Sequence, residues 1–254
     1  MALGFGANAR LIAAYETTYG TPLADGYHRL GFSRYGLSAR QQLIDNDLLG
    51  EGRDPAPAVL GALTCDGEVI VPCDARQIGF WLKALLGEPL TTGTTNFTHT
   101  FQSGGAVIPS LSLQAINPDV PLRRTHFGAR VDSLTLPLRR DGLTAATLSL
   151  VAQGESTDGA DRDALPTPYT PLRFGSFQGT IRRDGAALGR VVSAEIIYRN
   201  GLDRIETIRS DGKIDGADPT VASLTGNLEV RFADTTLIDA ATNNTPLELS
   251  FGYV

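Results

Sequence analysis

From Ala129 the chain reads ARVDSLTLPLRR, and after a short turn it continues TAATLSLVAQGE. Leu134, Leu136 and Leu138 alternate with Ser133 and Thr135, and Leu148 and Leu150 with Thr147 and Ser149. Successive side chains of a strand point to opposite faces, so this period of two marks a sheet with one buried side and rules out an amphipathic helix. The pattern recurs in VLGALTCDGEVIVPC, where Leu63, Cys65, Val69 and Val71 share one side and Thr64, Asp66 and Glu68 the other. It returns in NFTHTFQ, AVIPSLSLQAIN, VVSAEIIYRNGL, DRIETIRSDG, TVASLTGNLEVRF and PLELSFGYV. The fold class that follows is all-β with one flanking α-helix: two packed antiparallel sheets, as a sandwich or barrel. GARVDSLTLPLRRDGLTAATLSLVAQGE is echoed by LGRVVSAEIIYRNGLDRIETIRSDGKIDG, two strands about a Gly turn each, which supports antiparallel pairing.

One stretch is helical. Asp74 is a good N-cap for ARQIGFWLKALLG, in which Ile78, Trp81, Leu82 and Leu85 form one apolar stripe, and Gly87 and Pro89 stop it. The spacing predicts a helix over 74–87. Residues 27–44 read as one long strand, bulged at Gly31 or Gly36. Residues 45–58, DNDLLGEGRDPAPA, form a loop too long for a simple hairpin turn, and such a loop in a compact domain is usually functional. Residues 1–14, small and apolar without a turn signal, read as an N-terminal arm.

Chemistry is sparse. The sequence holds no nucleophile elbow, no zinc-protease helix, no phosphate-binding loop and no C-x-x-C pair, so it offers no catalytic residues and no cofactor. SDGKIDGAD at 210–218 resembles a calcium loop, but Lys213 stands where an acid is needed and Ala222 where the bidentate Glu is needed, so it reads as a turn with no metal. His28, His99 and His126 each stand alone, and Cys65 and Cys73 read as free thiols of a reducing cytoplasm. The start carries no basic leader before its apolar patch, so no secretory signal is expected. A net charge of −6 disfavours a protein that grips nucleic acid by its phosphates. It suits one past which a polyanion slides. No apolar run reaches the length of a membrane span, and no membrane partner is expected.

The order of these elements resembles a known family. YETTYGTP precedes the long strand pair and its loop, and GEVIVPCDARQIGFWLKALLGEP runs from strand into helix. FTHTF, IPSLSLQAI, FGARVDSLTLPL, AEIIYRNGL and LTGNLEVRFAD follow in turn. Across nearly the whole chain this is similar to the major tail tube proteins of long-tailed bacteriophages. The resemblance implies a single 1–254 domain in hexameric rings, stacked into a hollow tube of the virion. DNA would pass through the tube without specific binding, and the tape measure, tail terminator and distal tail proteins would be partners. It implies synthesis in the host cytoplasm.

The resemblance also implies that strands over 27–44, 58–72, 129–139 and 144–153 line the channel. That makes Thr64, Asp66, Glu68, Ser133, Thr135, Thr147 and Ser149 candidate lumen residues. Leu48, Leu49, Glu51, Arg53 and Asp54 of the long loop become candidate contacts between stacked rings. Tubes of contractile or type VI secretion-like systems share the architecture. Outside it, a β-sandwich binding module of a phage tail would need clustered exposed aromatics, and the chain has one Trp, placed in the helix stripe. An enzyme on a β scaffold would need a catalytic constellation.

Overall fold

The computed structural model describes residues 6–48, 54, 56–232 and 235–253, and the chain is mostly strand. It opens with β1 (Arg10–Tyr15), β2 (His28–Leu30), β3 (Arg34–Tyr35), β4 (Ser38–Ile44) and β5 (Val59–Pro72). Helix α1 (Ile78–Leu86) follows, then β6 (Leu90–Thr92), β7 (Thr98–Thr100), β8 (Leu111–Asn117), β9 (Leu122–Leu138), β10 (Ala145–Ala152) and β11 (Gly154–Thr157). The last third holds β12 (Gly179–Arg183), β13 (Ala186–Ala187), β14 (Val191–Arg199), β15 (Leu202–Ile205), β16 (Gly216–Pro219), β17 (Ser223–Val230), helix α2 (Thr236–Thr242) and β18 (Leu249–Tyr253).

The spine is β9. Its first half pairs with β8 and β11, and its second half with β10 and β14. Between the halves Gly128 has φ +60°, a left-handed conformation that a Cβ would strain, and the strand bends there. The main order is β2-β1-β8-β9-β10-β5-β3, with β4 also on β5, and β14 on β9 carrying β17 as an outer edge. β2 and β3 stand at opposite ends of this order, yet only Gly31, Phe32 and Ser33 join them. Four residue steps span at most roughly 14 Å. The sheet must therefore curl until its ends approach, and the two expected layers are the two halves of one curled sheet.

The concave side holds the core. Val69, Val71, Leu113, Leu148 and Leu150 are fully buried there with Trp81 and Leu85 of α1. Each such aliphatic side chain contributes about 2 kcal/mol by leaving water. Ile78 and Leu82 pack against the same cluster but keep some exposure. The helix is shorter than the spacing predicts. Its ladder starts at Ile78, while the Asp74 carboxylate accepts the backbone N–H groups of Arg76 and Gln77 and caps the turn before it. Gln77 then holds Gly31 through both polar groups of its amide, at 2.9 Å each, which fixes the helix to the joint between β2 and β3.

Other expectations are corrected. Residues 1–14 are not an arm as a whole: β1 lies between β2 and β8, with Leu11, Ile12, Ala13 and Ala14 at most 2% exposed. A strand buried on both faces shows a continuous apolar run rather than alternation. Residues 27–44 form three strands, broken at Gly31, where the chain passes from one end of the sheet to the other, and at Gly36, between two strands that both pair with β5. α2 is a second helix, where the sequence pattern predicts only one. In the echoed pair, β9 and β10 do form a hairpin, but β14 pairs with β9 and β17 while β15 pairs with β16. Among the described residues no helix is long and apolar enough to cross a membrane.

Candidate functional site

The convex face of the larger half-sheet carries the predicted lumen residues. Directly paired residues of antiparallel strands point to the same side, so the register defines rows across this face. One row runs Arg34, Ile70, Thr147, Thr135, Ile197, Thr225; the next runs Glu68, Ser149, Ser133, Arg199, Ser223. Below them Ser38 pairs with Asp66 and Arg40 with Thr64. All seven candidates thus share one face, though not equally. Thr64 and Glu68 are exposed, Thr135, Thr147 and Ser149 are half-buried, and Ser133 is buried.

Asp66 needs correction as a free wall charge. The Arg204 guanidinium donates to its carboxylate at 2.6 Å, and both side chains are about one-third exposed. The cause is the two-stranded unit β15–β16, which covers this corner. Ile214, Ala217 and Leu202 pack on Val151, and the Leu63 N–H donates to the carbonyl of Gly212. The face is also less acidic than expected, because Arg34, Arg40 and Arg199 stand on it. Their strand register, not their sequence context, puts them there.

The second feature is the β4–β5 hairpin. Leu43 pairs with Leu60 and Ile44 with Val59, and these four are 66%, 62%, 59% and 63% exposed. Neighbouring positions lie on opposite faces, so both faces of the distal hairpin are apolar and uncovered. Beyond it, Leu48 is 66% exposed and its N–H bonds to the Asn46 side chain, while Asp54 is also exposed. Leu49, Glu51 and Arg53 lie outside the described residues.

Reactive side chains elsewhere are tied into structure. Arg209 donates to Asp211 and Asp215, so the carboxylates of the calcium-like loop hold a guanidinium, and Asp211 sits well below the usual carboxylate range first because of that bond. Among the described residues no cluster of His, Cys, Asp and Glu is placed to hold a metal. Burial pushes the thiol of Cys65 up to about 12 and that of Cys73 to about 11, which keeps both protonated at neutral pH. His126, which looks isolated in sequence, is fully buried in a network that spans the seam of the curled sheet. Its Nδ1 meets the Tyr35 hydroxyl at 2.7 Å and its Nε2 meets Glu155 at 3.1 Å, and Glu155 also accepts the Ala39 N–H. β3 and β4 are thereby fastened to β9 and β11.

The site as a whole is a mixed-charge sheet face backed by the buried core, with a hairpin beside it that leaves large aliphatic residues exposed. The family model described as "Phage tail tube protein" matches residues 6–254. A search of curated proteins found no match.

Proposed function

This chain belongs to the phage tail tube protein family, and from that premise we propose that its copies form hexameric rings that stack into the tube through which the genome leaves the virion. A structural role in the virion tail is what membership carries. The ring number, the conduit role, the making of the subunit in the host cytoplasm, and contacts with tape measure, terminator and distal tail proteins belong to the proposal.

The observation that carries the reading is the hairpin, with large aliphatic residues exposed on both faces. Apolar surface of this extent on a projecting element favours burial against another protein. A self-assembling tube supplies that protein as another copy. The wall fits the conduit role. Hydroxyls separate its charges, three arginines against Asp66 and Glu68, so that neither aromatic platforms nor a continuous basic track lines the rows above.

The proposal is tested by deleting residues 47–56. The expected outcome is a folded subunit that still forms rings but no long tubes under negative stain. Normal-length tubes from the deletion variant would contradict the assignment of this loop to ring stacking.

A further inference from the structure

At the end of the sheet remote from the hairpin, a cleft of about 710 Å³ is lined by Arg139, Arg140, Arg190 and Arg231. Arg139 and Arg140 follow the end of β9, Arg190 precedes β14 and Arg231 follows β17. Chain segments far apart in sequence thus converge their cations on one place. All four are exposed, and among the described residues none is in an ion pair. The cleft also has apolar lining: Phe177, 82% exposed, and Ile181. Glu195 and Glu229 line a neighbouring cleft that shares Arg139.

The hairpin tip has the complementary character. Asp45, Asp47 and Asp54 are exposed beside the exposed Ile44 and Leu48. The register fixes the relation of the two surfaces. β5 starts at Val59, at the hairpin, and ends at Pro72, which pairs with Ala145 at the arginine end. Its 14 residues separate the two surfaces by roughly 40 Å at ~3.3 Å per residue. One subunit therefore cannot join its own hairpin to its own cleft, but two subunits stacked along the strand direction can.

We propose that the arginine cleft receives the acidic, apolar hairpin tip of a second copy of this chain in the adjacent ring. The carboxylates of Asp45, Asp47 and Asp54 meet the guanidinium groups, which bind carboxylates in bidentate fashion, and the aliphatic residues cover Phe177. The contact is head-to-tail, so it leaves a free hairpin at one end and a free cleft at the other, and repeats without closing. This rests on the stacked-ring reading above, and it adds the receiving surface and the charges that select it.

The test is a charge-reversal cycle on the full chain at low salt. The variants are Arg139→Glu with Arg140→Glu, Asp45→Arg with Asp47→Arg, and all four together. All four positions are exposed, so melting temperatures should stay near that of the parent. Each half-reversed chain should need about tenfold or more higher concentration to build tubes, while the combined chain should recover most of the loss. Parent tubes should shorten toward rings near 1 M salt, where screening acts within ~3 Å. A combined chain no better than either half would overturn the pairing. So would half-reversed chains that build normal tubes, including the case where the arginine variant loses only retention of duplex DNA, which would assign the arginines to nucleic acid. If the parent chain itself builds no tubes, the stacked-ring reading fails with the pairing, an outcome distinct from normal parent tubes that ignore the charges.

Discussion

Replacing Leu43 and Leu60 with Ser tests whether the hairpin surface is made for a partner. The two residues face each other across the β4–β5 ladder and are 66% and 62% exposed. Fully burying a Leu side chain contributes about 2 kcal/mol. Since roughly two-thirds of each is still open to water, each has about 1.3 kcal/mol left to gain by burial against another subunit. The pair thus stakes about 2.5 kcal/mol per subunit on the contact, and a six-membered ring repeats it about six times. Little is staked on the fold of the isolated subunit, because surface substitutions usually change stability by about 0.5 kcal/mol or less. The assay combines thermal melting with light scattering and negative-stain imaging on one preparation. The expected result is a melting temperature within a few degrees of the parent and loss of tubes at concentrations where the parent assembles. Parent-like tubes would refute the reasoning. So would a large fall in melting temperature before any change in assembly, which would mean that the leucines are packed within their own subunit.

Three further outcomes follow from named contacts. A Cβ at Gly67 would lie 2.3 Å from the carbonyl oxygen of Gly36, so Gly67→Ala should destabilise the subunit by about 3 kcal/mol in chemical denaturation, and an unchanged midpoint would show that the β3–β4 joint gives way freely. Glu155 is held below its ordinary value of 4.5, chiefly by its bond with His126; a lowered carboxyl stabilises the fold above its unfolded value and loses that contribution as pH falls through the folded one. Glu155→Gln should therefore weaken the fold at pH 7 and flatten the fall in stability on acidification below about pH 4.5, whereas parallel pH curves would remove Glu155 from the acid response. Glu68→Lys with Ser149→Lys, adjacent on the wall, should leave tubes intact but make DNA ejection slower, most of all at low salt, and unchanged ejection kinetics at low salt would take these residues off the channel.

Much of the fold is legible because period-two alternation is a local signal. β5, β9 and β10 announce which side each residue takes, and the register then sets Thr64, Glu68, Thr135, Thr147 and Ser149 on one face as expected. The helix stripe is legible for the same reason at a different period. What alternation does not carry is which strands meet. β1 hides because burial on both faces erases its alternation, and the break of 27–44 at two glycines shows only once β2 and β3 are seen at opposite ends of the sheet. Asp66 looks like a wall acid in its own strand, but its partner Arg204 lies 138 residues away. His126, Tyr35 and Glu155 are likewise unrelated in sequence and brought together by the curl. The arginine cleft needs three strand ends to converge, and the short pair Arg139-Arg140 gives little hint of it.

The most direct measurement is a side-chain-resolution cryo-electron microscopy reconstruction of assemblies of the purified chain. The account predicts stacked rings about an open channel, with Glu68, Thr135, Thr147 and Ser149 toward its axis, and with each β4–β5 hairpin reaching the arginine end of a subunit in the next ring. A monodisperse monomer, or a tube in which that face packs against neighbouring subunits while another surface lines the channel, would contradict it.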